Sequence, residues 1–230
     1  MTTSCLYQIM SKKFDISKKY SIFEKKNDMT VDNFDQIEKL LNFENEGDFY
    51  MIQIMQRGKD QNNGRPSSSV RIIKSYFVDS IEYLEERREE IKSLCEFFNA
   101  RACINLNKKN KKQVSMKGLE LMAHLVAHEE YHTFRSIFET ACGQTGACDG
   151  KKTWIIDVDT KDDGELNEII SILNQCAPFD VDKVVAIIPT PHGNHIITRP
   201  FNKKTFSEIY KNKIDIHDGT PTVLYFKDNE

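Results

Sequence analysis

The chain has 230 residues, of which 39% are hydrophobic and 29% are charged, and its formal net charge is −3. This balance is typical of a globular protein and excludes a disordered chain. The sequence lacks the run of roughly 18 apolar residues that a membrane helix needs and the apolar stretch of a signal peptide. We therefore expect a cytoplasmic protein with no membrane partner, whose six cysteines are reduced.

The first part of the chain, residues 1–150, predicts an N-terminal α/β subdomain. Its first 30 residues are polar and lysine-rich and predict a loosely packed lead-in. Beyond them, apolar residues recur at helical or at alternating spacing. The predicted elements are a helix at 31–42, a hairpin of strands 48–57 and 70–78 around the turn-rich QNNGRPSSS, a helix capped by Asp79 or Ser80 that ends near 98, a strand at 101–107 and two helices within 115–141 that break near 130.

The last third of the chain, residues 151–230, has the clearest pattern. Its elements follow the order β-α-β-β-α-β, which is the ferredoxin-like or RNA-recognition-motif (RRM-like) unit. Two helices cover one face of such a sheet, and the other face is left for function or for a second layer. We predict an α+β fold in which this module packs with the N-terminal half as one compact unit. The predicted elements are WIIDVD (154–159), 164–176, 182–189, NHIIT (194–198), 201–210 and TVLYF (222–226).

Two carboxylates mark the end of the first strand of this module. Alternation places Asp157 and Asp159 on one face with Ile155, and apolar residues on the other face. Neighbouring like charges repel, and a divalent cation such as Mg²⁺ or Mn²⁺ relieves that repulsion because it prefers hard oxygen ligands. Two such ions can hold the attacking and leaving oxygens of a phosphoryl transfer. The structural alternative is that D-x-D simply closes the strand, with Asp159 capping the next helix.

A histidine lies on the strand that is predicted to neighbour this acid pair. His195 follows a turn in which Gly193 and Asn194 suit left-handed backbone. The N–H groups of that turn are candidates for binding a triphosphate. A lone strand histidine is usually structural, but closeness to the acid pair favours a functional role. We predict that Thr190, Gly193, Asn194 and His195 contact a nucleotide.

A third acid would complete a metal site of this kind. The segment IDIHD (214–218) supplies it before the last predicted strand. Asp215 is the first choice and Asp218 is the alternative.

Together these motifs resemble the archaeo-eukaryotic primase superfamily. WIIDVD resembles its first motif, GNH within TPHGNHIIT resembles its second, and IDIH is a loose match to its third. The resemblance covers residues 150–227, and the preceding half is compatible with the N-terminal subdomain of that family.

The resemblance implies a DNA-templated nucleotidyltransferase, a primase or primase-polymerase that joins nucleoside triphosphates in DNA replication on single-stranded DNA. Asp157, Asp159 and Asp215 would hold two Mg²⁺ or Mn²⁺ ions, and His195 would contact the phosphates of the incoming nucleotide. The small size suits a minimal enzyme of phage or mobile-element type, acting in bacterial or phage-infected host cytosol. A helicase or another replication protein is a further candidate partner. The candidate phosphate-binding cations are Arg199, Lys74 and Arg101.

Three other interpretations compete with this one. A zinc site could form from His128, His132, Cys142 and Cys148, although the cysteine spacing is wider than usual. A non-catalytic RRM-like nucleic-acid-binding module would show exposed aromatic side chains on its central strands. A phosphodiesterase would use HIIT as an H-x-T-like motif and would need a second such motif, which the sequence lacks.

Overall fold

The computed structural model describes residues 30–58, 66 and 68–228. The predicted lead-in and most of the QNNGRPSSS segment lie outside these residues. Among those described, nine strands form two antiparallel sheets, accompanied by six α-helices. The strands are β1 Thr30–Asp32, β2 Asp48–Arg57, β3 Val70–Val78, β4 Arg101–Asn110, β5 Trp154–Val158, β6 Val184–Pro189, β7 Asn194–Thr198, β8 Asp215–Asp218 and β9 Thr222–Lys227. The helices are α1 Phe34–Glu38, α2 Ile81–Phe98, α3 Lys111–Ala127, α4 Ile137–Gln144, α5 Asp163–Asn174 and α6 Lys203–Ile209.

The first sheet has the strand order β1-β9-β4-β2-β3. The predicted hairpin of β2 and β3 is confirmed, and so is the capped helix after it. The Ser80 hydroxyl accepts a hydrogen bond from the Tyr83 amide at 3.1 Å, which satisfies one of the free N–H groups at the start of α2. Leu84, Ile91 and Cys95 are fully buried and form the face of α2 that packs on this sheet. None of the described helices is long and apolar enough to cross a lipid bilayer.

The second sheet has the strand order β6-β7-β5-β8. One of its faces, which includes Ile156 and Ile196, packs against α5 and α6 in a separate apolar cluster. The opposite face, which includes Ile155 and Ile197, shares its cluster with Ile52 and other residues of the first sheet. The first sheet is therefore the second layer over this face, and the two sheets meet through an apolar interface.

One predicted strand belongs to the other sheet. TVLYF forms β9, which lies between β1 and β4 in the first sheet, so its assignment as the fourth strand of the C-terminal module is wrong. The fourth strand is β8, formed by the DIHD of IDIHD. The reason is burial: every residue of TVLYF is buried, as expected for an inner strand, whereas the short β8 is an edge strand with few apolar residues and a weak pattern.

The predicted helix at 31–42 is also corrected. Only Phe34–Glu38 is helical, and the segment begins instead with β1, in which Val31 pairs with Phe226 of β9. Val31, Phe34 and Ile37 are all buried, which explains why apolar residues recur here at helical spacing. Val31, however, belongs to β1, and only Phe34 and Ile37 belong to the short helix α1. The break predicted near 130 is confirmed, because a 3₁₀ turn at Tyr131–Ser136 separates α3 from α4.

Candidate active site

Three of the predicted site residues stand side by side across the second sheet. Asp157 on the central strand β5 is directly opposite His195 on β7 and directly opposite Asp215 on β8. Residues directly opposite each other in an antiparallel pair project to the same face. The sheet therefore presents two carboxyl groups and an imidazole on one face, and His195 is close to Asp157, one acid of the predicted pair. Asp218, the alternative third acid, lies at the far end of β8 and pairs with Lys152 at 2.8 Å.

The imidazole of His195 connects the two sheets. Its Nε2 lies 3.4 Å from Oδ1 of Asp157, and its Nδ1 lies 2.9 Å from the hydroxyl oxygen of Thr222, at the start of β9. The His195 side chain is 14% exposed and that of Asp157 is 37% exposed. Both ring nitrogens thus have polar neighbours, and the ring is held between a partly solvated acid and a buried hydroxyl.

An acidic cleft of about 210 Å³ opens beside Asp157. Its wall contains four carboxylates and one ammonium group, so it suits cations and the charged parts of a substrate. His195 does not line the cleft and reaches it only through Asp157. The lining residues are Asp157, Val158, Asp159, Thr160, Glu165, Lys213, Ile214 and Asp215.

Two charged residues of the cleft are not among the site residues that the sequence predicted. Glu165 lies in the first turn of α5, where an acid is common, and its Oε1 accepts a hydrogen bond from the Tyr210 hydroxyl at 2.6 Å. Lys213 is exposed and lies two residues before Asp215. The position of Lys213 beside the third motif is the feature of the sequence that could have identified it. Glu165 could not be identified in this way, because acids are common in the first turn of helices.

The turn between β6 and β7 packs tightly against the end of β5. A Cβ atom on Gly193 would lie 1.9 Å from the carbonyl oxygen of Val158, so only glycine allows this approach. The Gly193 amide donates to the Thr190 hydroxyl at 3.0 Å, and the Thr190 amide donates to the Gly193 carbonyl at 2.9 Å. The Asn194 side chain donates to the Thr160 carbonyl at 3.2 Å. In this conformation these donors form hydrogen bonds within the turn and to the chain after β5. The sequence predicted that the same residues contact a nucleotide.

The acids of the cleft are the type of ligand that a hard divalent cation prefers, but their side chains are not gathered around one point. Carboxylate oxygens are the ligands that Mg²⁺ and Mn²⁺ prefer. Among the described residues, however, no group of three or more His, Cys, Asp or Glu side chains is gathered closely enough to hold an ion. Asp159 follows the end of β5, and both it and Asp215 are exposed, so their side chains have room to turn towards Asp157. An ion held here by three protein side chains would therefore require side-chain rotation.

The other predicted phosphate-binding cations lie elsewhere. Arg199 follows the end of β7 that is remote from His195. Arg101 is buried in the first sheet, with its guanidinium 4.6 Å from the centre of the Phe226 ring. Lys74 on β3 forms an ion pair with Glu90 of α2. None of these three cations lines the cleft.

The four predicted zinc ligands do not form a site among the described residues. His128 is exposed, and its Nδ1 lies 2.8 Å from the carbonyl oxygen of His124. Cys142 is fully buried beside Phe49, and this burial raises the pKa of its thiol to about 11. Zinc binds the thiolate, so such a thiol is a poor ligand.

Comparisons with known protein families, with characterised proteins and with solved structures gave no match to this chain. A functional argument therefore depends on the residues of the cleft and on the strands that carry them.

Proposed function

We propose that this protein is a metal-dependent nucleotidyltransferase of the primase or primase-polymerase type, which joins nucleoside triphosphates on a single-stranded DNA template. The observation that carries the proposal is the placement of Asp157, Asp215 and His195 side by side across three strands, next to an acidic cleft. The motifs that resemble the primase superfamily in sequence are thereby neighbours in space. The chemistry of the residues is that of phosphoryl transfer assisted by two cations.

The topology around the site supports the same proposal. In the β-α-β-β-α-β unit formed by β5, α5, β6, β7, α6 and β8, the strand order is β6-β7-β5-β8 and both helices lie on one face. We infer that this is a ferredoxin-like, RRM-like catalytic module. The two central strands then carry Asp157 and His195 on the face that packs against the first sheet, and a nucleotide can approach through the cleft beside Asp157.

Four residues of the cleft have a role in this proposal. Asp157, Asp159 and Asp215 would hold the cations, and Lys213 would pair with phosphate oxygens of the incoming nucleotide. Bound Mg²⁺ or Mn²⁺ would neutralise the carboxylates and stabilise the charge that develops on the α-phosphate. The rigid β5 strand orients the primer terminus and the nucleotide in line. The 3′-hydroxyl would lose its proton to solvent water as its oxygen bonds to the α-phosphorus, and the bond from the α-phosphorus to the bridging oxygen would break and release pyrophosphate.

The geometry gives the other candidate functions less support. Trp154 is the aromatic residue of the two central strands, and it lies on the helix-covered face against Phe201, with the Lys203 ammonium 4.2 Å from its ring centre. A base-stacking platform would need such a ring on the opposite face. His195 and Thr198 of HIIT lie on opposite faces of β7, since they are three residues apart in a strand, so they do not form an H-x-T-like pair.

Primer synthesis on single-stranded DNA with Mg²⁺ or Mn²⁺ and labelled nucleoside triphosphates tests the proposal. We expect Asp157→Asn/Asp159→Asn and Asp215→Asn to lower the rate at least about 100-fold, because even indirect partners of metal ligands cost roughly 10–100-fold. Asp218→Asn is the matched control, since it changes an acid of the same strand that lies outside the cleft. Circular dichroism checks the fold of each variant. Undiminished synthesis by the double variant would remove the assignment.

A further inference from the structure

Thr222 has no role in the proposed chemistry, yet it contacts a residue that does. It opens β9 in the first sheet, where it pairs with Ile104, and it is completely buried. Its hydroxyl oxygen lies 2.9 Å from Nδ1 of His195, which belongs to the second sheet. A buried hydroxyl at this distance is a hydrogen-bond partner, so the orientation of His195 depends on a residue from the other sheet.

The two neighbours of the imidazole determine which of its nitrogens carries the proton. Nε2 faces Oδ1 of Asp157 at 3.4 Å, and a carboxylate only accepts hydrogen bonds. That contact is favourable when Nε2 is the protonated nitrogen. A neutral imidazole has one N–H group, so Nδ1 is then an acceptor and needs a donor, which the Thr222 hydroxyl supplies. The opposite tautomer would place the lone pair of Nε2 against a carboxylate oxygen.

We propose that Thr222 is a positioning residue that holds His195 in the tautomer protonated at Nε2, so that the ring directs an N–H donor towards Asp157, which lines the cleft for the anionic substrate. His195 then acts as a hydrogen-bond donor to an anion and not as a proton acceptor. The identity of that substrate, a nucleoside triphosphate, rests on the proposed function. The tautomer rests only on the contacts of the ring.

Long-range ¹H–¹⁵N correlation spectra of the full chain at alkaline pH, without metal or nucleotide, test this proposal directly. Imidazole rings are neutral there, and the ¹⁵N shifts distinguish a protonated from a bare ring nitrogen. For His195 we expect a protonated Nε2 and a bare, hydrogen-bonded Nδ1. A protonated Nδ1 would overturn the proposal, whatever the enzymatic activity turns out to be.

Two variants test whether the hydroxyl of Thr222 is responsible. Thr222→Val keeps the shape of the side chain and removes the hydroxyl, while Thr222→Ser keeps the hydroxyl. We expect the valine variant to move the Nδ1 signal to its unbonded position and to lower kcat for primer synthesis about fivefold, the equivalent of one hydrogen bond. The serine variant should retain both properties. If Thr222→Val does not fold, Thr222→Ala replaces it in the same comparison.

The outcomes separate this inference from the proposed function. An unchanged Nδ1 signal in the variant without the hydroxyl would refute the role of Thr222. A shifted Nδ1 signal in a protein that makes no primers would support the positioning role and contradict the polymerising activity.

Discussion

Replacing Gly193 with alanine should push the turn between β6 and β7 away from the end of β5. The new Cβ would lie 1.9 Å from the Val158 carbonyl oxygen and 2.8 Å from the Thr160 amide nitrogen, and both are backbone atoms that no side-chain rotation can move. A carbon and an oxygen in contact are rarely closer than 3.0 Å, so the gap must open by at least 1.1 Å (3.0 − 1.9). The hydrogen bond from Asn194 to Thr160, 3.2 Å long, would then be lost.

The free energy of unfolding should fall by roughly 2–4 kcal/mol in Gly193→Ala. Overpacking of a tight contact costs about 1–3 kcal/mol, and the lost hydrogen bond adds about 1 kcal/mol. Urea unfolding followed by circular dichroism measures the change, provided that the slope against urea concentration stays constant. The same variant should make primers more slowly, because the displaced turn leads into β7, which carries His195, and contacts the end of β5, which carries Asp157.

Gly143→Ala is the matched control for this experiment. Gly143 lies in the last turn of α4, and a Cβ atom there would have no neighbour within 4 Å. Alanine in an exposed helix should raise the stability by about 0.5–1 kcal/mol. The reasoning about close approach fails if Gly193→Ala unfolds at the same urea concentration as the original protein.

Three further predictions concern a buried ion pair, an acid with a raised pKa and the cleft. Lys108 and Asp48 form a buried ion pair at 3.1 Å, so Lys108→Met should cost about 3–5 kcal/mol in urea unfolding, and Lys108→Met/Asp48→Asn should cost less. Burial first, and then a neighbouring carboxyl group, raise the pKa of Glu38 from 4.5 to about 7. The folded protein therefore binds this proton more tightly than the unfolded chain, so stability should fall as pH rises between these values and Glu38→Gln should flatten that slope. Lys213→Ala should raise the KM for nucleotide about fivefold or more in steady-state assays, whereas Lys211→Ala, an exposed lysine outside the cleft, should leave it unchanged.

Alternation along β5 and β7 was enough to predict the centre of the site. Period-two spacing assigns Asp157 and His195 to faces without any knowledge of the rest of the chain, and the β-α-β-β order makes their strands neighbours. Both inferences use only short stretches of sequence and the order of elements. The structure agrees with them, because Asp157 of β5 lies directly opposite His195 of β7.

The misassigned strand and the missed contacts are long-range features. Local patterns favour the more apolar of two candidate strands, so the sequence predicts TVLYF and not β8 as the last strand of the module. Which sheet a strand joins depends on partners far along the chain, such as Val31 opposite Phe226. The contact of Thr222 with His195 crosses between sheets, and no spacing rule in the sequence predicts it.

The position of β9 has a consequence for the way this protein is made. Val31 of β1 pairs with Phe226 of β9, 195 residues later (226 − 31), so the first sheet cannot be completed until β9 has left the ribosome. Until then β4 lacks its β9 partner, and its open edge is available for pairing with another chain. A chain that stops before Thr222 should therefore aggregate, because β9 is the strand that completes the first sheet.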